Sequence, residues 1–447
     1  MSRPHVVYVT PIFGYPAFGG PRLRTYNTLR ALARVADVSL YVTQQPDTPD
    51  RERARAHLLS FCRDVTFPPP PAPPARAPLT RLALRALRAA LPRSVRRRLR
   101  AASNQKAEVA DRTTQDAASL ETLVGWVAAN RPDLVWLGFG GISYHLVPLG
   151  ERTSTPLVLE TECVWSRFVL RELPFEPDAF RRDQIQRDGR AKEQEERSGA
   201  LHTDITTAVS DVDAAYFRSI APDPERVMLL ANTIDVAAYA NDRASIRLRQ
   251  PALLFTGTLS HGTANVDASL WLLDEIMPRV WRSRPDVHVY LVGRSPAPAI
   301  VARRGRRVHV TGEVPSITPY MRASAAALVP LRWESGTRFK ILEAFACRTP
   351  VISTTLGAEG LNVEHGRHLL LADEPGAFAS AVLEVVNDRR AGQRLTEPAF
   401  DLVQREYDLS AAERQIEAIL SRLGVLPVTG SDTRRGPAHQ RVAASEV

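Results

Sequence analysis

The strongest constraint in this sequence is an alternation, repeated twice, of short apolar β-like runs with stretches of helical length and period. In the first half the runs are HVVYV (5–9), DVSLYV (37–42), DLVWLG (133–138), PLVLE (156–160) and DITTAVS (204–210). In the second half they are PALLFTG (251–257), VHVYLVG (287–293), RVHVTG (307–312), AAALVP (325–330) and TPVIST (349–354). Segments such as ANVDASLWLLDEIMPRVWRS (264–283) separate them. Strands that return after a helical crossover run parallel, so the pattern predicts α/β layers. Two successive doubly wound, Rossmann-like sheets of similar size are the simplest fold that accommodates both sets.

The join lies near ANTIDVAAYANDRASIRLRQ (231–250), which is polar and lacks a strong period. The expected domains are 1–235 and 236–408, followed by a helix within 409–425 and a tail, 426–447, whose composition predicts disorder. One insertion, 67–107, stands apart in the first domain. FPPPPAPPARAP (67–78) is a stiff polyproline-like spacer. The following LTRLALRALRAALPRSVRRRLRAA (79–102) sets leucines at 84, 87 and 91 against arginines at 81, 85 and 88. A basic amphipathic helix of this kind suits an anionic membrane or a partner. It equally suits a helix packed on its own domain with solvated arginines.

At 447 residues and 44% apolar content the chain is long enough for two or three domains with cores. The net charge of +9 does not imply nucleic acid, because acids are interleaved with the arginines and no DNA- or RNA-reading module appears. Cys62, Cys163 and Cys347 are odd in number and far apart. They form neither a disulfide framework nor a metal-ligand spacing, which favours a reducing cytoplasm. The opening MSRPHVVYVTPIF reads as a strand rather than a signal peptide, and no window of 18 apolar residues is present. The expectation is a cytoplasmic protein, with 79–102 as the one segment suited to the inner face of a membrane.

The chemistry concentrates in WESGTRFKILEAFACRTPVISTTLGAEG (333–360). Lys340 is one of three lysines, with Lys106 and Lys192, in a chain whose lysines and arginines total 58. The stretch reads strand, loop, helix, strand, which puts a helix N-terminus just past the carboxyl end of a strand, where open α/β sheets bind ligands. Free backbone N–H groups there suit a phosphate. Arg338 and Lys340 add two cations to the first turn, where the helix dipole disfavours them unless an anion lies between. Lysine reaches a phosphate as a point charge, while arginine's fork suits bidentate pairing. Glu343 lies one turn on from Lys340 and is suited to ribose hydroxyls. The plainer alternative is a surface Lys–Glu pair worth about a few tenths of a kcal/mol.

EAFACRTPVISTTLGAEGL resembles a segment of the family-4 retaining glycosyltransferases of GT-B fold. The resemblance extends in order through TPIFGYPAFGGPRLRTYNTLRALA (10–33), VSDVDAAYFRS (209–219), LLANTIDVAAY (229–239), LLFTGTLSHGTANVDASLWLLDEI (253–276), VYLVGR (289–294) and VHVTGEVPSITPYMRASAAALVPLR (308–332). It implies two Rossmann-like domains facing a cleft, an N-terminal acceptor domain, a C-terminal nucleotide-sugar domain and a last helix crossing back to the first domain. Glu343 matches the second glutamate of the family's E-x7-E motif, which binds ribose. The first should fall at Ser335, with Glu334 one residue out of register. Either Glu334 substitutes through a shifted loop, or Ser335, Gly336 and Thr337 hold the sugar by backbone and hydroxyl groups. A second departure is TGTLSHGTANVD (256–267), which lacks the arginine and lysine the family commonly places there. The expectation is that Arg338 and Lys340 take over that charge-neutralising role toward the diphosphate.

Gly19 and Gly20 of FGGPRLR, Gly257, and Arg294 at the end of VYLVGR join the implied donor site. His145 follows a strand end and suits the transferred sugar, although a lone histidine is more often structural; His261 would meet the donor from the second domain. Glu160 and Glu162 stand at another strand end, near an acceptor or at a helix start. Asp211 and Asp213 sit in a helix start and are not read as a metal site. The implied activity is transfer of a sugar from a nucleotide-diphosphate donor with retention, needing no metal or resident cofactor. The acceptor would be a carbohydrate, lipid-linked or small molecule in polysaccharide, glycolipid or natural-product assembly. Rival readings are an epimerase of the same fold and a non-catalytic nucleotide-sugar-binding protein, with a nucleic-acid binder last.

Overall fold

In this computed structural model the described residues are 3–17, 19–43, 50–67 and 116–427. The expected basic segment at 79–102, and the tail from 428 onward, lie outside them. Strands β1 (His5–Thr10), β2 (Asp37–Val42), β3 (Asp64–Thr66), β4 (Leu134–Leu137), β5 (Leu157–Glu160), β6 (Ile205–Ala208) and β7 (Val227–Leu229) form one sheet. Its order is β3-β2-β1-β4-β5-β6-β7. Strands β8 (Ala252–Thr256), β9 (His288–Val292), β10 (Val308–Gly312), β11 (Ala326–Val329), β12 (Val351–Ser353) and β13 (Leu370–Leu371) form the other, ordered β10-β9-β8-β11-β12-β13. Every pairing is parallel. Buried on both faces, the central strands read as continuous apolar runs, and that is why they stand out in the sequence.

Three strands escape the pattern: β3, β7 and β13 are two or three residues long and lie at sheet edges. Such short edges carry too few residues for a period, and their shortness limits unwanted pairing. The single helix expected over 264–283 is interrupted by a widened turn at Leu272–Ile276. Pro278 has no N–H for the helical ladder, which accounts for the break one turn before it. The join also holds more order than its composition predicts, with a helix at Val236–Asn241 capped by Asp235.

The switch points fall between β1 and β4 in one sheet and between β8 and β11 in the other. Ligand crevices form at the carboxyl ends of strands there. The last helix, Leu409–Arg422, returns to the first sheet's side and packs on helix Gly20–Val35. Ile416, Ile419 and Leu420 are fully buried with Leu29 and Leu32, each contributing roughly 1.5–3 kcal/mol by removal from water. Beside it, Ile234 N donates to Tyr407 O (2.9 Å) and Val236 N to Asp408 Oδ1 (3.0 Å). The two passages of chain between the sheets therefore run side by side.

Candidate active site

A cavity of about 940 Å³ lies between the two sheets, lined from both. Three helices begin at its wall. Helix Gly20–Val35 opens at Gly20, after Gly19 at φ +80°, with Pro21 in its first turn. A methyl group built on Gly20 would lie 3.4 Å from the Phe339 ring, so this helix starts against helix Phe339–Ala346. Asn265, in the first turn of helix Ala264–Trp271, accepts a 2.7 Å hydrogen bond from Lys340 Nζ. Three positive helix ends thus converge on one wall, an arrangement that favours an anion.

Within that wall Lys340 and Glu343 have separate partners. Lys340 donates to neutral Asn265 and lies 4.6 Å from the Phe255 ring centre. Burial pulls its pKa down to about 8, against the pull of Glu334. Glu343 accepts from Tyr239 Oη at 2.8 Å, and burial pushes its pKa up to about 6. A plain Lys–Glu surface pair does not describe them. Gly257, Thr258 and Arg294 line the same end of the cavity, where Arg294 Nε donates to Thr258 Oγ1 at 3.2 Å.

Arg338 is set differently from Lys340, although both were expected to face a diphosphate. It is buried, and its guanidinium donates to the carbonyls of Ser335 (2.8 Å), Gly336 and Leu356 (3.2 Å). Its first duty is to hold the 335–338 loop. Its Nε lacks a hydrogen-bond partner among the described residues, as do the buried Ser335 Oγ and Glu162 Oε2, and all three residues line the cavity. Unsatisfied buried polar atoms are rare enough in folded proteins to need a reason. Glu334 also lines the cavity and accepts from Ser335 N at 3.3 Å; burial raises its pKa while Arg338 opposes the shift.

Four expected site residues do not reach the cavity wall. Gly336 (φ +76°) and Thr337 face the first sheet instead. A Cβ on Gly336 would lie 2.6 Å from Glu162 O, and Thr337 Oγ1 accepts from Asn232 Nδ2 at 2.8 Å. These two dock the loop rather than address a ligand. His145 turns back on its own short helix, with Nδ1 3.0 Å from Ile142 O and Nε2 4.0 Å from Asp116. His261 is exposed on the loop before helix Ala264–Trp271, and Asn265 occupies the wall in its stead.

Glu160 and Glu162, two residues apart, also part company. Glu160 is buried behind the wall and accepts from Trp136 Nε1 (2.7 Å), Thr28 Oγ1 (3.0 Å) and Tyr8 Oη (3.1 Å), with Arg24 Nε at 2.8 Å. Arg24 in turn donates to Asn232 Oδ1 (2.8 Å), which ties helix Gly20–Val35 to the loop at Thr337. Arg171 spans the seam, gripping both oxygens of Glu359 (2.6 and 2.8 Å) and the carbonyl of Glu334 (2.7 Å). Tyr239, Asn265, Asn232 and this fork were not singled out from the sequence. Asp213 begins helix Asp211–Ile220, buried 3.6 Å from Arg167, with Ser210 capping its N–H. Among the described residues no cluster of three or more His, Cys, Asp or Glu side chains is arranged to hold a metal.

The fold recurs in known proteins. Sucrose-phosphate synthase from Thermosynechococcus elongatus superposes with TM-score 0.66 at 17% identity, covering 94% of this chain and 99% of that one. Anabaena Alr3699/HepE, solved in complex with UDP-glucose, gives 0.64 at 14% identity, covering 94% and 100%. The fold is GT-B. A protein described as a putative UDP-N-acetylglucosamine 2-epimerase from Listeria monocytogenes shares GT-B architecture too, at TM-score 0.57, 13% identity and coverage of 97% and 100%. Residues 250–388, which carry the whole of the second GT-B sheet and its Lys340–Glu343 helix, match the family model described as Glycosyl transferases group 1. A Klebsiella pneumoniae protein described as an uncharacterized 44.6 kDa protein in cps region is 24% identical over 166 residues. That match spans 35% of this chain and 42% of the relative's length.

Proposed function

We propose that this protein is a retaining glycosyltransferase that takes its sugar from a nucleotide-diphosphate donor. The observation that carries the reading is Lys340, a largely buried cation held by the neutral Asn265 where three helix N-termini meet. Such a site is completed by an anion of the size and charge of a diphosphate. The helix ends and Lys340 would stabilise the charge that develops on the leaving diphosphate. Arg338 would lend its charge from behind while holding the loop. Glu343, oriented by Tyr239, would take the ribose hydroxyls, and the sugar would lie toward Ser335, Glu334 and the helix start at Gly19 and Gly20. Attack from the face of departure would retain the anomeric configuration.

The acceptor would enter from the first sheet's side, where Tyr15, Tyr26, His57 and Phe61 line the cavity. These rings suit a carbohydrate, lipid-linked or small-molecule acceptor with an apolar portion. Among the described residues no helix is long and apolar enough to cross a membrane. Peripheral contact of a cytoplasmic enzyme through 79–102 belongs to this proposal. The chain supplies its own cations at the leaving group, so turnover is expected to persist in excess EDTA.

Screening UDP-, GDP- and dTDP-sugars for thermal stabilisation, followed by measurement of nucleoside diphosphate release, tests the reading. A donor that raises the melting temperature and is consumed with transfer to an acceptor supports it. Stabilisation by none of them would reject it. Interconversion of the free nucleotide sugar without transfer would instead favour an epimerase, a reading that the Listeria similarity supports at fold level.

A further inference from the structure

We propose that Glu162, working across the domain seam with Ser335, is a hydrogen-bond acceptor for a substrate hydroxyl in this cleft. The inference rests on the glycosyltransferase reading and goes beyond it. It assigns a role to a carboxylate in the loop after β5, on the first sheet's side of the cavity.

Four observations meet at this point. Glu162 lines the cavity between the sheets. Its Oε1 is fixed by the indole N–H of Trp165 and by Gly141 N at 3.3 Å, so the carboxylate is held in one orientation. Its Oε2 is buried and has no hydrogen-bond partner among the described residues. Across the seam, Ser335 Oγ is in the same condition, and the backbone of Glu162 touches Gly336, the next residue of that loop. Two unsatisfied groups, one on each domain, therefore face one seam beside the place proposed for the transferred sugar. A sugar hydroxyl both accepts and donates, so one hydroxyl, or an adjacent pair, can satisfy Ser335 and Glu162 together.

The contrast with Glu160 argues against a purely structural carboxylate. Two residues earlier, the chain provides Glu160 with four partners; Glu162 has donors for one oxygen alone. The hydrogen bond from Trp165, the charge of Arg24 and nearby backbone N–H groups lower the Glu162 pKa, and Glu162 in turn raises those of Cys163 and Tyr144. Burial dominates and pushes its pKa up to about 7. The ionised form, which accepts the hydroxyl proton most strongly, is then lost as pH falls through that value. A bound hydroxyl donor would draw the pKa down again.

The hydroxyl can belong to the donor sugar or to the attacking acceptor, and Glu162→Gln in the full-length protein separates them. The probes are UDP-glucose and UDP, or the donor chosen by the nucleotide-sugar screen and its own diphosphate. If the hydroxyl is the donor's, the variant binds the nucleotide sugar about tenfold more weakly while binding of the bare diphosphate is unchanged. If it is the acceptor's, both bind as before, but diphosphate release falls about tenfold and the wild-type loss of rate below about pH 7 disappears. Either result supports the proposal. Unchanged affinity, rate and pH profile would overturn it while leaving the glycosyltransferase reading intact. Failure of wild type to bind any nucleotide sugar would sink that reading instead, and this proposal with it. Should the Gln variant lose the wild-type circular dichroism, Glu162→Asp carries the same test with the charge retained and its reach shortened.

Discussion

Glu160 and Glu162 leave the same strand end two residues apart, yet one belongs to the scaffold and the other to the cavity. Glu160 is surrounded by donors and paired with buried Arg24, and the pair fastens helix Gly20–Val35 to the passage between the sheets. Glu162, Ser335, Arg338 and Lys340 line the opposite case, a wall on which polar atoms lack partners or have neutral ones. A domain stabilises itself by satisfying its buried polar groups. Unpartnered buried atoms of Glu162, Ser335 and Arg338 lie on residues that line one cavity, the pattern expected of a surface that meets a ligand.

The largest expected difference follows from breaking the satisfied side. Glu160→Ala should destabilise the fold by about 3–5 kcal/mol, since it strands the buried Arg24 guanidinium and three further donors. Urea denaturation measures this, and a loss under about 1 kcal/mol would erase the contrast. On the cavity side, Lys340→Met should do the reverse. It removes a buried charge, so the unliganded protein should melt no lower than wild type, while donor affinity falls on the order of 10–100-fold. Glu343→Gln should come next, at about tenfold in donor affinity with little change in melting temperature, because Tyr239 retains an acceptor.

The pH response of Lys340 has opposite signs for stability and for binding. Its folded pKa of about 8 lies below the ordinary 10.5, so between those values the unfolded chain binds more protons. Stability of the unliganded protein should therefore rise with pH across that window. Diphosphate binding needs the ammonium, so donor affinity should fall as pH climbs above about 8. Calorimetric titration of wild type and Lys340→Met separates the two, because the variant should show neither trend.

Much of the architecture was legible because buried parallel strands write themselves as apolar runs, and ten of those runs mark strands of the two sheets. The helix carrying Lys340 and Glu343 was legible for a similar local reason, three residues placing both side chains along one helix face. What they touch was not. Tyr239 and Asn265 stand 104 and 75 residues away, and no local pattern announces such pairings. His145 looked apt because it follows a strand end and His261 because it would meet the donor from the second domain, but the direction of a loop is set by what it packs on. Arg338 is instructive in the same way: its charge was visible in the sequence, while the three carbonyls that claim its donors come from the folded loop.

The side-by-side passage of the chain between the sheets has a mechanical consequence. Ile234 is bonded to Tyr407 and Val236 to Asp408, so the two connections are tied to each other where they pass between the sheets. Sliding or twisting one lobe past the other would tear those bonds, whereas swinging about the line through them need not. A rearrangement that keeps those bonds is confined to rotation about that line.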